Sequence, residues 1–138
     1  MNPTLERLRQ DIQFETTLAD QPLQFVSNWG LFSPREIDEG SRLLLRYVDP
    51  NPTDNCLDLG CGYGPIGITL AKLAPGGETL LVDKDFMAVE YSNRNIKLNA
   101  LNNARAMLSN GFDHIDPGMN FDLIASNIPA KVGKEVLT

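Results

Sequence analysis

From Asn55 to Leu70 the chain reads N-C-L-D-L-G-C-G-Y-G-P-I-G-I-T-L, and no other stretch constrains the fold as much. A short apolar strand, Cys56 to Leu59, runs into four glycines within eight positions, and Pro65 then opens an apolar segment with helical spacing. Glycines at 60, 62 and 64 allow a sharp turn with no Cβ in the way, so ligand atoms are expected against main-chain N–H groups at a helix N-terminus. A strand-to-helix turn without a ligand is the plainer alternative, but such turns rarely need this many glycines.

The alternation continues along the chain. After the helix from Pro65 to Ala74 come the turn Pro75-Gly76-Gly77, a strand from Thr79 to Val82 ending in Asp83, a helix from about Phe86 to Asn99, a strand from Ala104 to Leu108 and a strand from Phe121 to Ser126, with a further helix starting near Lys131. Strands alternating with helices imply an α/β fold, a doubly wound, Rossmann-like parallel sheet with helices on both faces. Numbered from the strand at Cys56, the expected strand order is 3-2-1-4. Upstream, Ser33-Pro34-Arg35-Glu36 reads as a capping box with proline at the first helical position, predicting a helix to about Val48 with Ile37, Leu44 and Val48 on one face. Residues 1–32 form a lead-in, with a helix expected over Thr4–Gln13 and extended segments around Thr16–Leu18 and Leu23–Trp29; residues 33–138 form the ligand-binding domain.

Charge selects the ligand. A pyrophosphate calls for a neutral or basic cradle, yet Asp58 stands two residues before the first glycine and no Lys or Arg appears until Lys72. The frame Gly62-x-Gly64-x-x-Gly67 matches the dinucleotide fingerprint, but that fingerprint should start at Gly60, where the strand ends, and no Gly-Lys-Ser/Thr follows to make a phosphate loop. S-adenosylmethionine, with its α-amino group and sulfonium centre, suits an acidic strand end better. A dinucleotide oxidoreductase remains the alternative that Asp58 disfavours.

In a sheet of this kind, ligands bind beyond the carboxyl ends of the strands, where the strand order reverses. Asp83 ends its strand twenty-three residues after Gly60, where a carboxylate can accept both ribose hydroxyls of a nucleoside; the competing role is a cap for the next helix. Lys84 and Asp85 would border the adenine. Asn110 in Ser109-Asn110-Gly111 either meets the adenine edge or is half of an ordinary turn dipeptide, with Phe112 packing nearby. Asn127-Ile128-Pro129 follows the last strand, and a carboxamide oxygen there can accept a hydrogen bond from a substrate amino group and aim its lone pair at an electrophilic methyl carbon. A plain turn is the alternative. His114 reads as a surface residue, Trp29 and Phe32 as packing residues that could also border the cofactor, and Tyr47 and Tyr91 as structural.

At 138 residues and with 42% hydrophobic side chains the chain reads as one globular unit. Its two cysteines, Cys56 and Cys61, lack histidine partners and suggest neither a metal site nor a disulfide framework, consistent with the cytoplasm; no apolar run approaches the roughly 18 residues of a membrane span. The net charge of −6 argues against nucleic-acid binding through broad phosphate neutralisation, so any RNA contact must be local. Lys131, Lys134, Arg35, Arg42 and Arg46 are the cations that could serve such a local contact, more naturally read as lying on solvated helix faces.

The quoted residues resemble the class I S-adenosylmethionine-dependent methyltransferases, and within them the small-domain group of ribosomal RNA guanine-N2 methyltransferases. The likeness runs from about Gly30 to Leu137. It rests on Gly30-Leu31-Phe32-Ser33, Asp38-Glu39-Gly40-Ser41, Leu57 to Ile68, Val82-Asp83, Asn99 and Ser126-Asn127-Ile128-Pro129. The resemblance implies that Asp58, Gly60, Cys61, Gly62, Gly64, Asp83, Lys84 and Asn110 hold S-adenosyl-L-methionine, and that Asn127 and Pro129 form the reacting centre, with no metal. Ribosomal RNA is the implied partner. Three positions depart from the pattern: Ile128 replaces a proline, Ala130 stands where an aromatic would stack on a base, and Asn110 replaces an aspartate. These and the acidic charge leave a protein amide or small metabolite as an alternative acceptor, and a non-catalytic cofactor-binding module as another. Family members also continue with about three more strands. The chain is therefore expected to be a truncated form or fragment of weak or absent turnover, lacking the last strands of the fold and able to pair with a second copy along its last strand.

Overall fold

The computed structural model describes residues 11–28 and 37–127. Strands β1 (Asp11–Leu18) and β2 (Gln21–Asn28) form an antiparallel hairpin in which Leu18 pairs with Gln21 and Asp11 with Asn28. Its two-residue turn places Ala19 and Asp20 at φ of 48° and 63°, the left-handed geometry that matches strand twist. The expected helix over Thr4–Gln13 does not hold for Asp11–Gln13, which are strand; its earlier residues lie outside the described ones. Burial alternates along β1, with Ile12, Phe14, Thr16 and Leu18 turned inward, so a period of two prevails over helix propensity.

Helix α1 (Glu39–Tyr47) begins later than the capping box predicts. Asp38 is extended, with φ −67° and ψ 157°, and its side chain accepts the Ser41 N–H, so Asp38 is the N-cap; Ser33–Glu36 lie outside the described residues. Tyr47 is 81% exposed, which does not fit its reading as a structural residue. The chain then follows β3 (Cys56–Leu59), α2 (Pro65–Leu73), β4 (Thr79–Asp83), α3 (Phe86–Leu98), β5 (Ala104–Leu108) and β6 (Leu123–Ser126).

The four later strands form a parallel sheet in the order β5-β4-β3-β6, which is the expected 3-2-1-4. One face presents Cys56, Leu81 and Ala125 to a core shared with Ile37 and Leu45 of the α1 region, Ile66, Ile68 and Leu70 of α2, and Ala88, Tyr91 and Ile96 of α3. On the opposite face Leu57, Leu80 and Val82 pack against Ile115, Met119 and Phe121 from the loop between β5 and β6. Among the described residues the helices thus lie on one face, and a loop covers the other.

Buried asparagines lock the layers together. Asn95 on α3 and Asn99, its C-cap one turn later, exchange hydrogen bonds with the backbone of Val26 and Gln24 and fasten the hairpin to the helix. Asn103 donates to the carbonyls of Ala71, Ala74 and Gly77, closing the end of α2. Tyr91 donates its hydroxyl to Asp11, which also pairs with Arg94 at 2.9 Å. Cys56 and Cys61 are buried and free. Among the described residues no helix is long and apolar enough to cross a membrane.

Candidate active site

The strand order reverses at β3, because β4 and β5 build to one side of it and β6 to the other. Leu59 pairs in register with Val82 on β4 and with Ser126 on β6, so the segments leaving these strands emerge side by side. The glycine loop, Asp83 and Asn127 are thereby brought to one rim of the sheet, as the sequence implies.

Gly60, Gly62 and Gly64 have φ of 74°, 57° and 109°, so each needs the conformation that side chains resist. A Cβ added at Gly60 or Gly62 would meet no atom within 4 Å, so this side of the loop is open to a ligand. The hydrogen bonding differs from the expectation. The Gly60 and Cys61 N–H groups both donate to the Val82 carbonyl at 2.9 Å, Gly62 N–H donates to Asp83 Oδ2 at 3.0 Å, and Gly64 N–H to the Cys61 carbonyl at 3.0 Å. These donors are consumed inside the protein, so the loop offers bare Cα surface and a carboxylate rather than an anion nest. A pyrophosphate needs the opposite arrangement.

Asp58 does not stand at the mouth of the site. It lies beneath the loop, 1% exposed, where Oδ2 accepts the Gly67 N–H at 2.8 Å and Oδ1 has no protein partner. Burial raises its pKa; the Gly67 bond opposes this, the Asp83 charge adds to it, and the result is about 7. Near neutral pH the group is divided between acid and carboxylate, poised to ionise fully beside a cation. Asp83 is half-buried and accepts the Gly62 N–H through Oδ2 and the Asp85 N–H through Oδ1, which leaves each oxygen a lone pair. The cap of α3 is Asp85, which accepts the Met87 N–H, so the capping alternative for Asp83 fails.

Cys61 turns its thiol into the core, 3.4 Å from Ser92 Oγ, and Ser92 donates to the Gly62 carbonyl at 2.7 Å. Only the backbone of Cys61 can border a ligand. Lys84, Asn110 and His114 are exposed, and Phe112 is 55% exposed rather than packed. Ser109 Oγ donates to the Gly111 carbonyl and accepts the His114 N–H, so it shapes the turn that presents Asn110.

Asn127 is held by residues to which the sequence assigns no role. Its Nδ2 donates to Asp38 Oδ2 and to Ser41 Oγ, each at 3.0 Å, while Ser41 Oγ donates to Asp38 Oδ1 at 2.7 Å. Asp38, Ser41, Ser92 and Asn95 are the site residues that sequence reasoning missed. Asp38 and Ser41 stand in the Asp38-Glu39-Gly40-Ser41 stretch that carries the resemblance, without a role assigned to them, and the legible signal of Ser92 and Asn95 is polarity on the apolar side of α3. Pro129, Ile128, Ala130, Trp29, Phe32 and the helix near Lys131 lie outside the described residues. No group of three or more metal-ligating side chains occurs among the described ones.

A parallel sheet with a glycine loop at its switch point, an acid at the next strand end and an asparagine after the outer strand defines a class of methyltransferases whose methyl donor is S-adenosylmethionine. Residues 22–138 match the family described as the methyltransferase small domain, and the chain belongs to that family. It is similar to the uncharacterized protein YbxB of Bacillus subtilis, 35% identical over 98% of this chain and 67% of that protein. It is 39% identical to the ribosomal RNA small subunit methyltransferase C of Pseudomonas entomophila, over 88% of this chain and 36% of that enzyme. Among solved structures, the T. thermophilus 16S rRNA N2 G1207 methyltransferase (RsmC), in complex with AdoMet and guanosine, superposes with a TM-score of 0.80 and 29% identity, over 88% of this chain and 34% of that one. M. jannaschii TYW2, in complex with AdoMet, shares the fold at a TM-score of 0.56 and 22% identity. The chain thus spans two thirds of the Bacillus relative and little over a third of the Pseudomonas one.

Proposed function

We propose that this chain forms the S-adenosylmethionine-binding part of an enzyme that transfers a methyl group to an exocyclic amino nitrogen, with guanine N2 of ribosomal RNA as the acceptor. The observation that carries this reading is the juxtaposition of Asn127 with the glycine loop, on adjacent strand ends in register at Leu59 and Ser126. Strands lie about 4.8 Å apart, a spacing that lets one ligand touch both.

The residues present fit the cofactor. Gly60 and Gly62 give an open backbone face, Asp83 keeps lone pairs for a ribose, and the unpartnered Oδ1 of Asp58 supplies negative charge beneath a cationic ligand. Gly64 completes the turn into α2, and Lys84 and Asn110 border the adenine from the ends of β4 and β5. S-adenosylmethionine supplies an electrophilic methyl carbon on a sulfonium leaving group. Asn127 Oδ1 accepts a hydrogen bond from the acceptor amine and holds its lone pair toward that carbon. The amine releases its proton to solvent after transfer, so the site needs no strong base.

Guanine N2 is favoured by the likeness to the T. thermophilus RNA enzyme and to the Pseudomonas relatives. With a net charge of −6, RNA contact is confined to the site rim, and the target base must be unstacked to enter it. Ala130 in the aromatic position makes a protein amide or small amine the second reading. Tritiated S-adenosylmethionine offered with small-subunit ribosomal RNA, total protein and small molecules should label RNA, and nuclease digestion should yield N2-methylguanosine. Label in protein alone would favour the second reading. Tight NADH binding without S-adenosylhomocysteine binding would overturn both.

A further inference from the structure

We infer that Asp38 and Ser41, at the start of α1, are positioning residues that fix which atom Asn127 presents to the acceptor amine. The inference rests on the proposed role of Asn127. Both amide protons of Asn127 are consumed, one by Asp38 Oδ2 and one by Ser41 Oγ, each at 3.0 Å. Ser41 is 4% exposed and spends its own proton on Asp38 Oδ1 at 2.7 Å, so its oxygen faces Asn127 only as an acceptor. Turning the amide over would set its oxygen against a carboxylate oxygen and a hydroxyl oxygen with no proton between them. The orientation is therefore chemically determined, and among the described residues Oδ1 has no hydrogen-bond partner, which leaves it for a substrate N–H.

Gly40 belongs to the same device. A Cβ there would lie 2.7 Å from Asn127 Oδ1, closer than atoms tolerate, and 3.2 Å from its Nδ2, so the carboxamide would have to shift. A glycine in the first turn of a helix is otherwise a poor choice. Its presence is explained by the space the Asn127 carboxamide occupies, which makes α1 the template against which the end of β6 is set.

Three variants separate positioning from folding. Asp38→Ser keeps an N-cap oxygen for α1 but is too short to reach Asn127. Gly40→Ala favours the helix while pushing on the carboxamide. Asp38→Asn combined with Asn127→Asp reverses donor and acceptor between the two side chains and restores that bond, though the nitrogen then replaces the oxygen that caps the Ser41 N–H. In the 15N-labelled chain, the Asn127 side-chain amide protons should exchange slowly with solvent, and Asp38→Ser should speed that exchange about tenfold or more while backbone amides elsewhere keep their positions. Turnover should fall about ten- to a hundredfold in Asp38→Ser and Gly40→Ala with unchanged S-adenosylhomocysteine affinity, and partly recover in the reversed pair relative to Asn127→Asp alone. Fast exchange of the Asn127 amide in the unmodified chain would overturn the inference, as would full turnover in Asp38→Ser. A slow, Asp38-dependent amide in a chain that neither binds S-adenosylhomocysteine nor transfers methyl groups would uphold the network and overturn the proposed function instead.

Discussion

The carboxamide of Asn95 does for Val26 what a neighbouring strand would do: its Oδ1 accepts the Val26 N–H at 2.7 Å and its Nδ2 donates to the Val26 carbonyl at 2.9 Å. The second amide proton goes to the Tyr63 carbonyl at 2.8 Å, so one fully buried side chain ties the hairpin, α3 and the glycine loop together. Asn95→Ala would strand a buried donor and two carbonyls, and the expected loss of stability is on the order of 3 kcal/mol. Urea unfolding measures the loss, and hydrogen exchange at Val26 should accelerate with it. A loss below about 0.5 kcal/mol would show that the bonds are offset by their desolvation.

The sheet was legible in the sequence because its signals are local. Cys56–Leu59 and Thr79–Val82 are short apolar runs bounded by Gly, Pro and Asp, and Pro65 marks a helix start, so element type and order follow from neighbours in the chain. The hairpin was half legible: the extended segments at Thr16 and Leu23 are present, but the chain before Thr16 reads equally as a helix until it is paired with β2. The site divides in the same way. Asp83 and the glycines lie at strand ends that the pattern marks, whereas Asp38 and Ser41 reach Asn127 across eighty-nine and eighty-six positions, a contact that no local pattern encodes. Asp58 shows the remaining limit: its charge is readable, but its place beneath the loop depends on how closely α2 approaches β4.

That burial gives Asp58 a measurable signature. Its pKa rises from an ordinary 3.8 to about 7 on folding, so between those values the native state holds more protons than the unfolded one. Stability therefore falls as pH rises from about 4 to about 7 and stays low above that, by an amount on the order of a few kcal/mol. The thermal midpoint of the ligand-free protein should be higher at pH 5.5 than at pH 8. Asp58→Asn keeps an acceptor for the Gly67 N–H and should flatten the dependence, raising stability most at the alkaline end. An unaltered pH profile in that variant would place the titration elsewhere.

Asp83 should matter to a nucleoside ligand more than to the fold. Its oxygens are spent on two exposed or half-buried backbone N–H groups, each bond contributing about 1 kcal/mol, so Asp83→Ala should fold. Losing a charged acceptor for ribose hydroxyls should weaken S-adenosylhomocysteine binding roughly ten- to a hundredfold by calorimetry. An unchanged Kd would remove Asp83 from the ligand site.

Gly62 and Gly67 should respond in opposite ways to the same methyl group. At Gly67 a Cβ would stand 2.4 Å from Leu81 Cγ and 3.0 Å from Asp58 Oδ2, in the seam where α2 lies on β4. Gly67→Ala forces the helix off the sheet and should cost about 1–3 kcal/mol of stability, with ligand affinity in the folded fraction little changed. At Gly62 the added methyl meets nothing within 4 Å, so Gly62→Ala carries only the strain of a φ of 57°, about 1 kcal/mol. That methyl projects into the open side of the loop, where it takes the space of a ligand lying against the backbone. Paired urea melts and S-adenosylhomocysteine titrations should therefore rank the two variants in reverse order, Gly67→Ala weaker in stability and Gly62→Ala weaker in binding. If Gly62→Ala binds as well as the unmodified chain, the ligand does not lie on this face of the loop, and the glycines serve the turn alone.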